Sequence, residues 1–193
     1  ALGLDASLFY GKKKDKVGTT VFAAYNLGSA YDPANIGLTA IPQFNRFTLN
    51  PKLFVDLGSK TNLIFGINTT FEERTGGDIN YIKRSPTTYA TYFEENNTQR
   101  LSSQFSLKHQ LNESSQINFK NSFNYYNRKV NIPGFTFDGN QNSSFSEVNY
   151  QTRKTKTEWI MGVNLWTDRF KQQNVIANQA LDYEYATFGG FVQ

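Results

Sequence analysis

Apolar residues recur at every second position along most of this chain. Phe47, Leu49, Leu53, Val55 and Leu57 form such a row before Gly58-Ser59-Lys60-Thr61, and Leu63, Phe65, Ile67 and Phe71 continue it afterwards. Successive side chains of a strand point to opposite faces, so each stretch sets one apolar row against one polar row. Leu101, Phe105, Leu107 and Leu111 likewise oppose Ser102, Gln104, Ser106, Lys108 and Gln110. After Asn112-Glu113-Ser114-Ser115, the row Ile117, Phe119, Phe123 and Tyr125 opposes Gln116, Asn118, Lys120, Ser122 and Asn124.

Extended over the chain, this pattern predicts an all-β fold, an antiparallel meander of about nine long strands. The first runs near Leu2 to Tyr10, and a lysine-rich turn at 11–16 returns it into a second carrying Val17, Val21, Tyr25 and Leu27. A long connection at 28–43 holds Gly28, Asp32, Pro33, Gly37 and Pro42, all turn formers. Strands three and four meet at 58–61, and a second long segment spans Glu73 to Asn97. Strands five and six form the clearest hairpin. A loop at 131–144 then carries Pro133, Gly134 and Gly139 before a short seventh strand at 145–152. Strand eight holds Trp159, Met161, Val163 and Leu165, and a loop at 169–185 leads to a ninth at 186–193. Apolar spacing of three and four is nowhere sustained, so no helix is predicted. Pro51 interrupts an apolar row and removes a ladder donor, which predicts a bulge.

Three features point from a β-protein to a transmembrane β-barrel. The strands are longer than the roughly 5–6 residues usual in soluble domains and meet the roughly 9–11 that a tilted spanning strand needs. Short and long connections alternate, as they do at the two rims of such a barrel. Aromatic residues fall accordingly: Tyr25, Phe47, Phe71 and Tyr125 lie on apolar rows near long connections, and Tyr10 and Trp159 beside short turns. These six are the expected membrane-interface aromatics, since amphipathic rings favour the headgroup level. The alternative is a soluble carbohydrate-binding β-sandwich, with the same aromatics in a core or on a binding face.

Composition narrows the choice. The 193 residues are 38% hydrophobic and 16% aromatic, with no cysteine, and the mean hydropathy is −0.54. No run of about 18 apolar residues exists, which excludes a helical membrane protein. A barrel tolerates such polarity because only alternate residues face lipid. Without cysteine there is no disulfide framework and no thiolate metal site. The net charge of +4 is modest, and the basic residues are not gathered together: Lys12, Lys13, Lys14 and Lys16 fall in one turn and Arg153, Lys154 and Lys156 in another. With no basic patch and no nucleic-acid motif, a nucleic-acid partner is not expected. The chain opens at Ala1 without a basic-then-apolar leader and runs in strand style to Gln193. An odd strand count cannot close a bacterial barrel, so residues 1–193 read as one segment of a longer barrel.

Several short motifs carry a family resemblance. In order they are Phe71-Glu72-Glu73-Arg74 with Gly76-Gly77-Asp78, Tyr92-Phe93-Glu94-Glu95-Asn96, Ile132-Pro133-Gly134-Phe135, the run Met161 to Phe170, and Gly189-Gly190-Phe191-Val192-Gln193. Together they resemble segments of the TonB-dependent outer-membrane receptors, of the Bacteroidetes type. The resemblance implies a barrel of about 22 strands with a plugged lumen, of which this chain would be a partial section without plug or energy-coupling segment. It further implies a Gram-negative outer-membrane location, with lipid, a TonB complex and a scarce nutrient as partners. That nutrient would be an iron–siderophore, haem, cobalamin or a glycan. No cofactor is implied.

Nucleophilic catalysis needs a base, and the single histidine, His109, shares an apolar row with Phe105 and Leu107 near a short turn. It reads as an interfacial structural residue. The pairs Glu72/Glu73 and Glu94/Glu95 are sequence neighbours on strands, so their side chains diverge and form no catalytic dyad. Asp138, Asn140 and Asn142 have the spacing of oxygen ligands but lack the Gly and distal Glu of a calcium loop, and read as a turn. The expectation is a transporter, not an enzyme, with no metal site. The candidate ligand contacts are Arg74, Tyr81, Lys83, Arg84, Tyr89, Tyr92 and Phe93 in the second long segment, cations amid aromatics suited to an anionic conjugated ligand.

Overall fold

A computed structural model describes residues 2–84, 92–174 and 180–193. Nine antiparallel strands follow chain order in one sheet: β1 (Gly3–Lys14), β2 (Val17–Gly28), β3 (Gln43–Leu57), β4 (Thr61–Gly77), β5 (Phe93–Asn112), β6 (Ser115–Ile132), β7 (Phe135–Lys154), β8 (Thr157–Gln172) and β9 (Tyr183–Val192). Among the described residues β1 and β9 each pair on one side only.

The register turns the periodicity of single strands into rows that cross the sheet. Val17, Val55, Leu63, Leu107, Phe119, Val148 and Val163 are successive cross-strand partners from β2 to β8. One residue along, the row is Gly18, Phe54, Ile64, Ser106, Lys120, Glu147 and Asn164. The first lies on an apolar face and the second on a mainly polar one. Among the described residues no apolar side chain is buried. A sheet with one apolar face and no core is a solved structure only in a solvent that accepts that face.

Several expectations are corrected. The lysine-rich segment is not a turn: Lys12 to Lys14 lie on β1, and the turn is Asp15-Lys16. Lys13 reaches across to Asp56, Nζ to Oδ2 at 3.0 Å. The loop expected at 131–144 is two residues long. Pro133 presets the first turn position and Gly134, at φ 76°, takes the second, which only glycine occupies freely. Strand β7 therefore begins at Phe135 and is 20 residues long. Asp138, Asn140 and Asn142 stand on it rather than in a turn, and Asn127 on β6 donates to Asp138 Oδ1 at 3.0 Å. Long and short connections consequently do not alternate without exception. The long segments are also narrower than read, because β4 runs to Gly77, β5 starts at Phe93, β8 reaches Gln172 and β9 begins at Tyr183. One helical turn, α1 (Ile79–Ile82), was not predicted; the Asp78 side chain caps it by accepting from Asn80 N–H at 2.8 Å.

Pro51 makes no bulge. Pairing to β4 lapses at Asn50 and Pro51, yet Leu49↔Thr69 and Lys52↔Gly66 keep the same register. The missing N–H removes one rung without inserting a residue. The register shifts instead between Gln110 and Asn112, beside the short turn where the Gln110 side chain donates to the Asn112 carbonyl at 2.6 Å.

Candidate functional site

The first long connection is folded onto the end of β4. Its own turn is set by Asp32, whose carboxylate accepts the N–H groups of Ile36 (3.3 Å) and Gly37 (2.7 Å). Thr39 N–H then donates to the Gly77 carbonyl at 2.9 Å, Gly77 N–H returns to Thr39 Oγ1 at 2.8 Å, and Ile79 N–H reaches the Gly37 carbonyl at 2.9 Å. Gly77 makes the junction possible. Its φ is 103°, and a Cβ there would lie 2.6 Å from the Tyr92 carbonyl oxygen.

Between this connection and the ends of β4 and β5 lies a cleft of about 400 Å³ on the polar face. Thr39, Pro42, Arg74, Tyr92, Glu94 and Asn96 line it. Arg74 pairs with Glu72 Oε1 at 3.1 Å, and its guanidinium carbon sits 5.9 Å from the centre of the Phe44 ring. Glu72 also pairs with Arg46. The Arg74 Nε is buried without a hydrogen-bond partner. The cleft thus combines one cation, one carboxylate, a phenol and an amide, a set that suits a polar ligand.

The expected ligand group does not assemble as one site. Arg74 and Tyr92 line the cleft. Tyr81 and Phe93 lie on the other face: Phe93 pairs with Gly77 in the register of the apolar rows, and Tyr81 stacks on it with ring centroids 4.2 Å apart. The Tyr81 hydroxyl donates to Glu95 Oε1 at 2.7 Å. Glu95 also accepts from Asn131 at 3.1 Å. Its carboxylate and the surrounding burial hold the Tyr81 phenol above its ordinary pKa. Lys83 closes α1 through its backbone N–H, and Arg84 follows at φ 50°. Tyr89 lies outside the described residues.

The sequence reading did not select Thr39, Glu94 or Asn96 as ligand contacts. Parity was the available signal for the last two, because Arg74 and Asn96 are cross-strand partners. Packing of Thr39 against Gly77 leaves no trace in periodicity. His109 stands far along β5 beside Thr61, its Nδ1 2.7 Å from Thr61 Oγ1. Among the described residues no three His, Cys, Asp or Glu side chains come together as metal ligands. The six expected interface aromatics, Tyr10, Tyr25, Phe47, Phe71, Tyr125 and Trp159, all fall in the register of the apolar face, and Tyr25, Phe47 and Phe71 are direct cross-strand partners.

No family model matches the chain, and no curated protein matches it in sequence. Among solved structures it is similar to the copper transporter OprC, with a TM-score of 0.71 at 9% identity. The likeness covers 98% of this chain and 33% of that one, so the chain spans about a third of the length of the transporter. At that identity the shared property is the fold.

Proposed function

We propose that this chain is a section of the barrel of an outer-membrane transporter of the TonB-dependent type. The apolar face meets lipid and the polar face lines the lumen. The observation that carries the reading is the unbroken apolar row from Val17 to Val163 on a sheet whose described residues bury no apolar side chain. Lipid is the solvent in which such a face costs nothing. The fold shared with OprC supports the same reading. A carbohydrate-binding sandwich would bury one face against a second sheet, whereas all nine strands here belong to one sheet.

In this reading the rim with the long connections faces outward and captures a scarce nutrient at the polar cleft. Iron–siderophores, haem, cobalamin and glycans are the classes considered. Passage through the lumen draws on a TonB complex, engaged through a plug outside these nine strands. The role is transport and not catalysis. Tyr10, Tyr25, Phe47, Phe71, Tyr125 and Trp159 sit at the two membrane interfaces.

The two tryptophans test it. Trp159 lies on the apolar face and Trp166, paired with Phe145, on the polar one; both are exposed. In the full-length protein reconstituted into vesicles, a variant retaining only Trp159 should be quenched by brominated lipid. One retaining only Trp166 should be quenched by an aqueous quencher instead. Equal lipid quenching of both, or of neither, overturns the reading.

A further inference from the structure

Four aromatic rings run in sequence over the polar face at the long-connection end of β7, β8 and β9. Phe137 and Phe170 are 6.3 Å apart between centroids with planes inclined by 9°. Phe170 and Tyr183 are 5.6 Å apart at 22°, and Tyr183 and Tyr185 are 5.6 Å apart at 20°. Phe170 and Tyr183 are direct cross-strand partners. Gly139 leaves room for the crossing from β7 to β8, since a Cβ there would stand 2.7 Å from the Phe170 ring and 2.8 Å from Phe137. Tyr183 and Tyr185 remain 41% and 50% exposed. Exposed near-parallel rings on an otherwise polar face present apolar surface to whatever enters it.

A polar floor holds this run in place. Asp168, only 5% exposed, accepts from Gln141 Nε2 at 2.9 Å and from the Tyr185 hydroxyl at 3.3 Å. The same Gln141 nitrogen lies 3.2 Å from the Tyr183 hydroxyl. Gln172, the partner of Gly139, keeps a buried Oε1 without a hydrogen bond. Of the charged side chains on this side of the sheet, Asp168 lies within the run, Arg128 on β6 is the partner of Gly139, and Glu158 stands at the far turn of β8, paired with Arg153 at 2.7 Å. What the run presents is ring faces over an amide and a carboxylate. It suits a neutral ligand with apolar ring faces and hydroxyl donors.

We propose that Phe137, Phe170, Tyr183 and Tyr185 form a saccharide track. The C–H faces of successive pyranose rings lie over the aromatic rings, and their hydroxyls meet Gln141, Asp168 and the free acceptor of Gln172. The proposal rests on the transporter reading, because it takes the polar face as a lumen open to solute.

The test is calorimetric titration of the full-length protein in detergent with neutral linear hexasaccharides: malto-, cello-, laminari- and chito-oligomers. At least one should bind, and Phe170→Ala and Tyr185→Ala should each weaken it about tenfold. Gly139→Ala should do the same by displacing both phenyl rings, while Trp159→Phe on the opposite face should leave affinity unchanged. Failure of every sugar to bind overturns the track, as does binding that survives both alanine variants. Capture of an anionic ferric catecholate in place of sugars, weakened by the same substitutions, overturns the ligand class. The tryptophan quenching pattern, measured on the same preparation, separates these failures from failure of the barrel itself.

Discussion

Tyr81 stacks flat on Phe93, with ring centroids 4.2 Å apart and planes inclined by only 7°. This contact fastens α1 to the start of β5, and the hydrogen bond from the Tyr81 hydroxyl to Glu95 adds a second attachment. Tyr81→Phe keeps the stack and removes a bond to a charged acceptor, worth about 1.5–3 kcal/mol when buried and less at this part-exposed rim. Tyr81→Ala also loses the stack, about 0.5–1.5 kcal/mol. Hydrogen exchange at the Ile82 and Lys83 amides should quicken in the order native, Tyr81→Phe, Tyr81→Ala. The phenol is held above its ordinary pKa, first by the hydrogen bond to Glu95. Its contribution is therefore full below the ordinary phenol value of about 10 and lost as pH rises through the raised one. The exchange difference between native protein and Tyr81→Phe should vanish at that upper limit.

The Thr39–Gly77 clamp makes a second prediction. Gly77→Ala places a Cβ 2.6 Å from a backbone oxygen at a φ of 103°, a strain of about 1–3 kcal/mol. The first long connection should detach from β4, and the Thr39 and Ile79 amides should lose exchange protection together. The row residues Leu63 and Leu107 should keep theirs. Loss of protection across the whole sheet would mean that the junction supports the fold rather than the cleft alone.

Alternation made the apolar rows legible, because Leu63, Leu107 and Phe119 share one face and Ser106 and Lys120 the other. Toward the long-connection end of the strands the alternation fades. Phe135 to Asn142 shows this: Thr136, Asp138 and Asn140 occupy the positions that are apolar lower down, so a strand read as a loop. The same fading hid the start of β5 and, with it, the division of the ligand residues. Arg74 and Phe93 are both near one connection in sequence, but position parity places them on opposite faces. Tyr81 was beyond reach, since its placement depends on the Asp78 cap of a helical turn too short to show a period. The aromatic track was split between two segments read as loops.

Pro51 costs the sheet one rung. Its absent N–H leaves an acceptor on β4 without its strand partner while the register holds on either side. In lipid an unsatisfied backbone group costs several kcal/mol, more than the roughly 0.4–1 kcal/mol that proline gains by stiffening the unfolded chain. Pro51→Val should therefore stabilise the protein in vesicles by about 1 kcal/mol or more, read as a higher urea midpoint with an unchanged slope. A lower midpoint would show that the acceptor is already satisfied by solvent, and would place Pro51 outside the bilayer.

Ile64 and Phe65 are adjacent on β4 and almost equally exposed in the sheet, at 39% and 43%. Area alone predicts the same response to a charge at either position. Their faces differ: Ile64 pairs with Phe54 and Ser106, whereas Phe65 pairs with Leu53 and Phe105. A lysine on the lipid side of a barrel costs about 2–4 kcal/mol near the bilayer midplane, while one on the lumen side stays hydrated. Phe65→Lys should accordingly lower unfolding stability in vesicles by about 2 kcal/mol or more, and Ile64→Lys by less than about 1 kcal/mol. In a sheet surrounded by water the two substitutions would cost alike, because neither site is buried. An equal loss would therefore remove the membrane from the account. A reversed order would keep the membrane and exchange the faces, moving the cleft and the aromatic track to the lipid side, where neither could receive a solute.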